Sequence, residues 1–158
     1  MFAIMDTIEI SRRPRDVFLY ATDPSLFPEW QGSVVSVRME GDAPLAVGSR
    51  ARVKRRVGPR TLVTTEEIAE LDPPSTWVVR GIGGIPVTAT ARGRIEPVDD
   101  GRRSRVTIAL EFEAHGIGKL LIGLVIRRQA RTQLPRNMQQ LKESLEPRPS
   151  QDRVAGLQ

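Results

Sequence analysis

Histidine and cysteine, which supply many of the nucleophiles, bases and zinc ligands of proteins, are almost absent from this chain. There is no cysteine, and His115 is the only histidine among 158 residues. This composition excludes a disulfide framework, a thiolate or multi-histidine metal site, and a cysteine nucleophile. A single histidine needs an acid beside it to work as a general base, so a structural or surface role is favoured for His115. We therefore predict no metal and no cofactor, and the catalytic residues, if any, stay unknown.

Glycine-rich and hydroxyl-bearing motifs do not indicate a known chemistry either. The segment Gly81-Ile82-Gly83-Gly84 lacks the spacing of a dinucleotide fingerprint and is followed by Pro86 and a strand pattern instead of a helix. No phosphate-loop lysine motif and no nucleophile elbow occurs in the sequence. The segment is more typical of a hairpin.

Two arginines have the spacing of a buried helix face. At about 100° per residue, Arg127 and Arg131 project onto the stripe that carries Leu120, Leu124 and Met138. An unpaired charge on that face would be costly, so each guanidinium needs an exit to water, a carboxylate partner such as Glu66, or an anionic ligand group. For both arginines, an exit to water or an ion pair is favoured over contact with a ligand, which stays an alternative.

The two tryptophans stand out because aromatic residues make up only 4% of the chain. Trp30 ends a helical insertion, and Trp77 opens a strand just after Pro73-Pro74. Each offers a large apolar surface and one N–H donor, which suits a core plug or a pocket wall. A core plug is the favoured interpretation for each one taken singly.

The elements that must position these residues begin with a strand at 2–10 and a helix that starts at Pro14. A second short helical turn is predicted at 25–30. Short alternating segments separated by turn residues then indicate an antiparallel meander. Its six predicted strands cover 34–40, 49–57, 61–71, 76–82, 87–97 and 103–114. In the last of them Val106, Ile108, Leu110 and Phe112 share one face.

The main helix is predicted over 116–145, and Pro147 and Pro149 end it. Its apolar run at 118–126 is too short to span a bilayer. The remaining residues read as a disordered tail, so we expect one domain at 1–146 and a tail at 147–158. Seven strands with helices after the first and last describe an α+β fold.

Net charge is +5, yet 21 of the 24 basic residues are arginines spread along strands instead of clustered beside aromatics. The pattern favours a solvated surface and no nucleic-acid partner. Residues 1–10 lack a signal-peptide pattern, so we expect a cytoplasmic protein without integral membrane association. The sequence leaves monomer and homodimer open.

Several segments carry a family resemblance. The chain contains Thr7-Ile8-Glu9-Ile10, then Asp23-Pro24 with Phe27-Pro28-Glu29-Trp30, then 67–74 and 138–146. Over about 4–146 it resembles the polyketide cyclase/dehydrase group of the START-like (Bet v 1-like, SRPBCC) superfamily. The resemblance implies a helix-grip fold, in which a seven-stranded curved antiparallel sheet wraps a long C-terminal helix, with two short helices between the first two strands.

Such a fold implies a cavity between sheet and helix, where a small hydrophobic, lipid-, polyketide- or isoprenoid-like molecule is carried or sensed. The alternatives are a cyclase/dehydratase using Arg80, Arg127 or His115 to polarise a carbonyl, and a basic module that binds protein or membrane. The expected cavity residues are Phe27, Trp30, Trp77, Arg80, Phe112, Leu120, Leu124, Arg127 and Arg131.

Overall fold

The computed structural model describes residues 2–83, 87–116 and 119–147. Seven strands form one antiparallel sheet in the order β1-β7-β6-β5-β4-β3-β2, so the chain closes its first strand onto its last. The strands are β1 Phe2–Ile10, β2 Val34–Met39, β3 Arg50–Val57, β4 Arg60–Asp72, β5 Thr76–Gly81, β6 Val87–Val98 and β7 Arg103–Ala114. The predicted meander is confirmed, and no strand bound shifts by more than one residue.

Turn residues explain where the strands reverse. Gly58 has a φ of 58° at the β3–β4 turn, and Val57 pairs with Arg60 across it. Asp99 and Asp100 both have a φ of 54° at the β6–β7 turn, followed by Gly101 at 80°. These left-handed conformations suit glycine and the short polar residues that turn sequences use.

Two short helices follow β1, as predicted. Helix α1 spans Pro14–Thr22 with its proline in the first turn, where a missing N–H costs no hydrogen bond. A single 3-10 turn, Pro24–Leu26, leads into α2 at Phe27–Trp30. Asp23 Oδ1 accepts hydrogen bonds from Ser25 N at 3.0 Å and Ser25 Oγ at 2.7 Å, which fixes the start of that turn.

Helix α3 covers Lys119–Leu145 and continues through Pro135. Its C-terminal end is fastened to the corner between β1 and α1. Lys142 Nζ donates to the Glu9 carbonyl at 2.8 Å, and the Glu146 carboxylate accepts from Ser11 N at 2.8 Å. Arg12 Nε donates to the Leu145 carbonyl at 2.6 Å. This corner therefore fixes the C-terminal end of the helix.

The hydrophobic core fills the space between the inner face of the sheet, α1, α2 and the C-terminal half of α3. Ile10, Val53, Val106, Met138 and Leu141 have no exposed surface. The α+β helix-grip architecture expected from the sequence is confirmed. Of the predicted tail, only Pro147 lies within the described residues. Among the helices described, none is long and apolar enough to cross a membrane.

Candidate ligand cavity

A cavity of about 210 Å³ lies between the inner face of the sheet and residues 126–137 of α3. Strands β3 to β7 supply one wall, and α2 with α3 supplies the other. The lining is mainly apolar and includes Phe27, Trp30, Val57, Trp77, Val79, Val87, Ala89, Ala91, Ile108, Leu110, Phe112, Ile126, Ala130 and Leu134. Such a space can take a small apolar molecule out of water.

Trp77 forms the boundary between this cavity and the filled core. Its side chain is 4% exposed and meets the Phe18 ring edge-on, with centroids 5.8 Å apart. A Cβ on Gly93, its partner on β6, would lie 2.1 Å from the indole ring. Glycine at this position is therefore what lets the indole lie flat across the neighbouring strand.

Helix α2 presents Phe27 and Trp30 to the cavity. Their rings meet edge-on with centroids 6.2 Å apart, and Tyr20 Oη on α1 donates to Glu29 Oε2 at 2.6 Å. Burial of the phenol, and then the Glu29 carboxylate beside it, raise the pKa of Tyr20 above its usual 10.0. The hydroxyl therefore stays protonated and holds α2 against α1.

One ion pair lies in the cavity wall. Arg55 donates from Nε and Nη2 to Glu66 Oε1, at 2.8 and 2.6 Å, and from Nη1 to Ser33 Oγ at 3.2 Å. The two side chains are 23% and 13% exposed. The paired charges cancel, so they present a polar but neutral patch to the cavity.

Helix α3 presents a row of three carboxamides at i, i+4 and i+8: Gln129, Gln133 and Asn137. Gln129 accepts from Gly58 N at 2.8 Å and donates to the Arg56 carbonyl at 2.9 Å. Asn137 Oδ1 accepts from Gly32 N at 3.0 Å. The first and last amides thus tie the helix to the β3–β4 turn and to the exit of α2.

The structure places the residues expected in the cavity in three groups. Phe27, Trp30, Trp77 and Phe112 line it. Arg80, Leu124, Arg127 and Arg131 are exposed and lie outside its lining. The side chain of Leu120 lies outside the part of the chain that the structure describes.

A change of helix face explains why the two helix arginines and Leu124 lie outside the cavity. The buried residues Leu134, Met138 and Leu141 define the face toward the core. At about 100° per residue, the cavity-lining pair Ala130 and Gln133 is centred about 80° away from that face. The stripe predicted for Leu120, Leu124, Arg127 and Arg131 continues the face that meets the core. It therefore lies on a different side of the helix from the residues that line the cavity.

Arg80 lies outside for a simpler reason. Successive residues of β5 alternate between the two faces of the sheet, and Trp77 and Val79 point inward. Arg80 therefore points to the outer face. The Glu66 proposed as a partner for the helix arginines instead pairs with Arg55.

His115 is exposed just beyond β7, and its Nε2 lies 3.4 Å from Thr88 Oγ1. Within the described residues, no group of three or more His, Cys, Asp or Glu side chains could hold a metal ion. Sequence reasoning missed Arg55, Gln31, Gln129, Gln133 and Asn137. A signal was present for Arg55, which continues the inward alternation of Ala51 and Val53, and for the three amides spaced four residues apart.

The sequence profile of the family described as "Polyketide cyclase / dehydrase and lipid transport" matches residues 1–146. The chain therefore belongs to this family, which is the group that the sequence resemblance indicated. No curated protein sequence matches the chain significantly.

Solved structures with the same fold are distant in sequence. The Zhui aromatase/cyclase from Streptomyces sp. R1128 superposes with a TM-score of 0.78 at 11% identity, over 91% of this chain and 93% of that one. TTHA0849 from Thermus thermophilus gives 0.75 at 16%, over 99% and 100%. A START superfamily protein from Mycobacterium smegmatis gives 0.72 at 12%, over 91% and 99%. At these identities the likeness shows the fold alone.

Proposed function

We propose that this protein binds a small, mainly apolar molecule in the cavity between the sheet and α3, as a carrier or sensor. The cavity itself carries the proposal. Four aromatic side chains and an aliphatic wall surround about 210 Å³ that no described side chain fills. Apolar surface that a core would normally cover is thus left for a ligand to cover.

The electrostatics of the wall favour an uncharged ligand. Arg55 is engaged by Glu66 and Ser33, so its charge is already compensated. Arg56 also lies in the lining, but it is exposed, so its charge is screened by water. An anionic ligand would have to displace that carboxylate, and a cationic one would have to displace the guanidinium. A neutral lipid-, polyketide- or isoprenoid-like molecule requires neither change.

Filling the cavity tests the proposal. Native mass spectrometry of an untreated preparation should reveal a bound small molecule, and phenylnaphthylamine, a neutral fluorescent dye, should bind with enhanced emission. Ala130→Phe puts a ring into the lining and should abolish both signals. Thr132→Phe adds the same ring at an exposed position of the same helix and should change neither. Unchanged dye binding in Ala130→Phe would contradict the proposal.

The aromatase/cyclase neighbour favours a second candidate, cyclisation of a poly-keto chain in the same cavity. The residues first considered for that chemistry, Arg80, Arg127 and His115, do not line the cavity. Among the described lining residues, the ionisable side chains are Arg55, Arg56 and Glu66. A cyclase would therefore depend on them, and turnover of a poly-keto substrate that survives Arg55→Gln, Arg56→Gln and Glu66→Gln would remove this candidate.

A third candidate, a basic surface that docks on anionic membrane, is favoured by the outer side of α3. Leu121, Leu124 and Val125 are 74%, 62% and 52% exposed, next to the cavity-lining Ile126. Residues 119–141 contain five basic side chains and no acidic one. Exposed apolar groups on a helix with an excess of basic residues suit the surface of an anionic bilayer.

Vesicle sedimentation tests this surface. Binding to phosphatidylserine vesicles should exceed binding to phosphatidylcholine vesicles and should fall as salt is raised. Replacing Leu121, Leu124 and Val125 by serine should abolish it. Serine at Met5, Leu19 and Val47, which are 70%, 59% and 61% exposed, is the matched control. Equal binding by both triple variants would exclude the candidate, and self-association in gel filtration would assign the surface to a second copy.

A further inference from the structure

Within the described residues, the Trp30 indole N–H is buried in the cavity lining without a hydrogen-bond partner. Two further lining side chains, both carboxamides, also have hydrogen-bonding capacity that the protein does not use. Gln31 and Gln133 both line the cavity and are partly buried. Within residues 2–83, 87–116 and 119–147, neither carboxamide has a hydrogen-bond partner, whereas Gln129 and Asn137 on the same wall bind backbone groups. Their four N–H groups and two carbonyl oxygens are therefore open to a ligand.

The backbone brings these two residues to one seam of the cavity. Gly32 N donates to Asn137 Oδ1 at 3.0 Å, which ties the exit of α2 to α3. Gln31 immediately precedes Gly32, and Gln133 lies one helical turn before Asn137. A Cβ on Gly32 would lie 3.6 Å from Asn137 Oδ1, so the two segments are in close contact there. The two carboxamides thus flank a structural hydrogen bond.

Carboxamides carry donors and an acceptor but no charge, so they match a group that is itself polar and neutral. A keto oxygen accepts from their N–H groups, and a hydroxyl can both accept from one and donate to the other. A hydrocarbon would cover both amides without satisfying them, which makes binding weaker.

Resting on the proposed ligand-binding function, we propose that Gln31 and Gln133 form a carboxamide clamp that selects neutral ligands bearing a keto or hydroxyl oxygen. The aromatic and aliphatic wall binds the apolar body of the ligand, and the clamp fixes the end that carries the oxygen. The clamp adds a selection rule to the cavity: oxygenated apolar molecules bind in preference to hydrocarbons and to acids of the same size.

Three probes of similar bicyclic skeleton separate these classes: tetralin, α-tetralone and α-naphthoate. Isothermal titration of the full-length protein should give α-tetralone about tenfold tighter binding than tetralin, which corresponds to one or two net hydrogen bonds. Naphthoate should bind most weakly, because the Arg55 guanidinium in the lining is already paired with Glu66 and Arg56 is exposed to water. The order of affinities is the readout.

Variants assign the preference to the two residues. Gln31→Leu with Gln133→Leu should bring α-tetralone down to the affinity of tetralin and leave tetralin unchanged or tighter. Gln140→Leu removes an exposed carboxamide from the same helix and should keep the preference. Gln133→Glu retains the size and polarity of the side chain, so it serves as a second variant if the double leucine variant does not fold. It should also lose the ketone preference.

The outcomes distinguish the clamp from the cavity. Binding of tetralin and α-tetralone with equal affinity, or a ketone preference that persists in the double variant, overturns the clamp and leaves ligand binding standing. Tighter binding of naphthoate than of the ketone overturns the selection of neutral ligands. No binding of any probe, together with no copurified ligand, overturns the proposed function and the clamp with it.

Discussion

The long helix packs in two different ways along its length. Residues 138–146 meet the sheet through fully buried side chains such as Met138 and Leu141, and the end is fastened by Lys142 and Glu146 to the β1–α1 corner. Residues 119–137 instead line a cavity from Ile126 onward and leave Leu121 and Leu124 in solvent. We refer to these as the closed half and the open half. One helix thus serves stability at one end and binding at the other.

The difference follows from where polar groups are placed. In the closed half, the polar contacts lie at the helix end, and the interior face is aliphatic. In the open half, Gln129, Gln133 and Asn137 occupy the interior face, where larger apolar residues would have filled the space. Amides that bind backbone groups hold the walls apart at a fixed distance, because their partners are in the β3–β4 turn and the α2 exit. A cavity can therefore persist beside a close-packed core.

The largest expected effect comes from removing a side chain from each half. Met138→Ala leaves a void in a region with no exposed surface and should lower the free energy of unfolding by about 2–5 kcal/mol. Ile126→Ala enlarges a space that is already empty and should cost about 1 kcal/mol. Urea unfolding of both variants measures the contrast. Equal losses would mean that the open half is packed as tightly as the closed half.

The boundary between the halves should be next in sensitivity. Gly93→Ala places a methyl group 2.1 Å from the Trp77 indole, so the ring must move. We expect a loss of about 1–3 kcal/mol from overpacking, together with weaker ligand binding because Trp77 lines the cavity. Gly101→Ala provides a comparison in which strain arises from a φ of 80° with open space around the Cβ. If Gly101→Ala loses stability but keeps ligand binding, the weaker binding of Gly93→Ala is due to the displaced Trp77 ring and not to lower stability.

The sequence predicted the closed half better than the open half. Strand alternation and the spacing of Met138, Leu141 and Leu145 follow from burial, which imposes a strict period on the residues. The cavity-lining residues follow no such strict period, because close packing does not constrain side chains that border an unfilled space. Phe27, Trp30, Trp77 and Phe112 could be placed there from the family resemblance. Arg127 and Arg131 could not be excluded, because the rotation of the helix face is set by tertiary packing.

Acid should weaken the fastening of the closed half. Burial alone would raise the pKa of Glu146, but the hydrogen bonds from Lys142 and Ser11 outweigh it and hold the pKa below the usual 4.5. Because the folded pKa is the lower one, the stabilisation is fully present above 4.5 and is lost as pH falls through the folded value. Glu146→Gln should cost about 1 kcal/mol near neutral pH and almost nothing in strong acid.

Unfolding of Glu146→Gln and wild type across this pH range measures the change. Glu143→Gln removes a charge from an exposed position of the same turn and serves as the control. A Glu146→Gln deficit that stays constant into acid would contradict the assigned direction of the pKa.

The smallest effect on stability is expected where the open half is tied to the sheet. Gln129 bridges Gly58 N and the Arg56 carbonyl across the β3–β4 turn, in contact with solvent. Gln129→Leu should therefore lower the free energy of unfolding by about 0.5–1 kcal/mol. Because this bridge joins α3 to one rim of the cavity, its loss should raise the dissociation rate of phenylnaphthylamine several-fold in stopped-flow fluorescence. Gln139→Leu, on the exposed face of the helix, should leave that rate unchanged. An unaltered rate in Gln129→Leu would show that ligands leave by another route, and that the open half is held in place by the closed half alone.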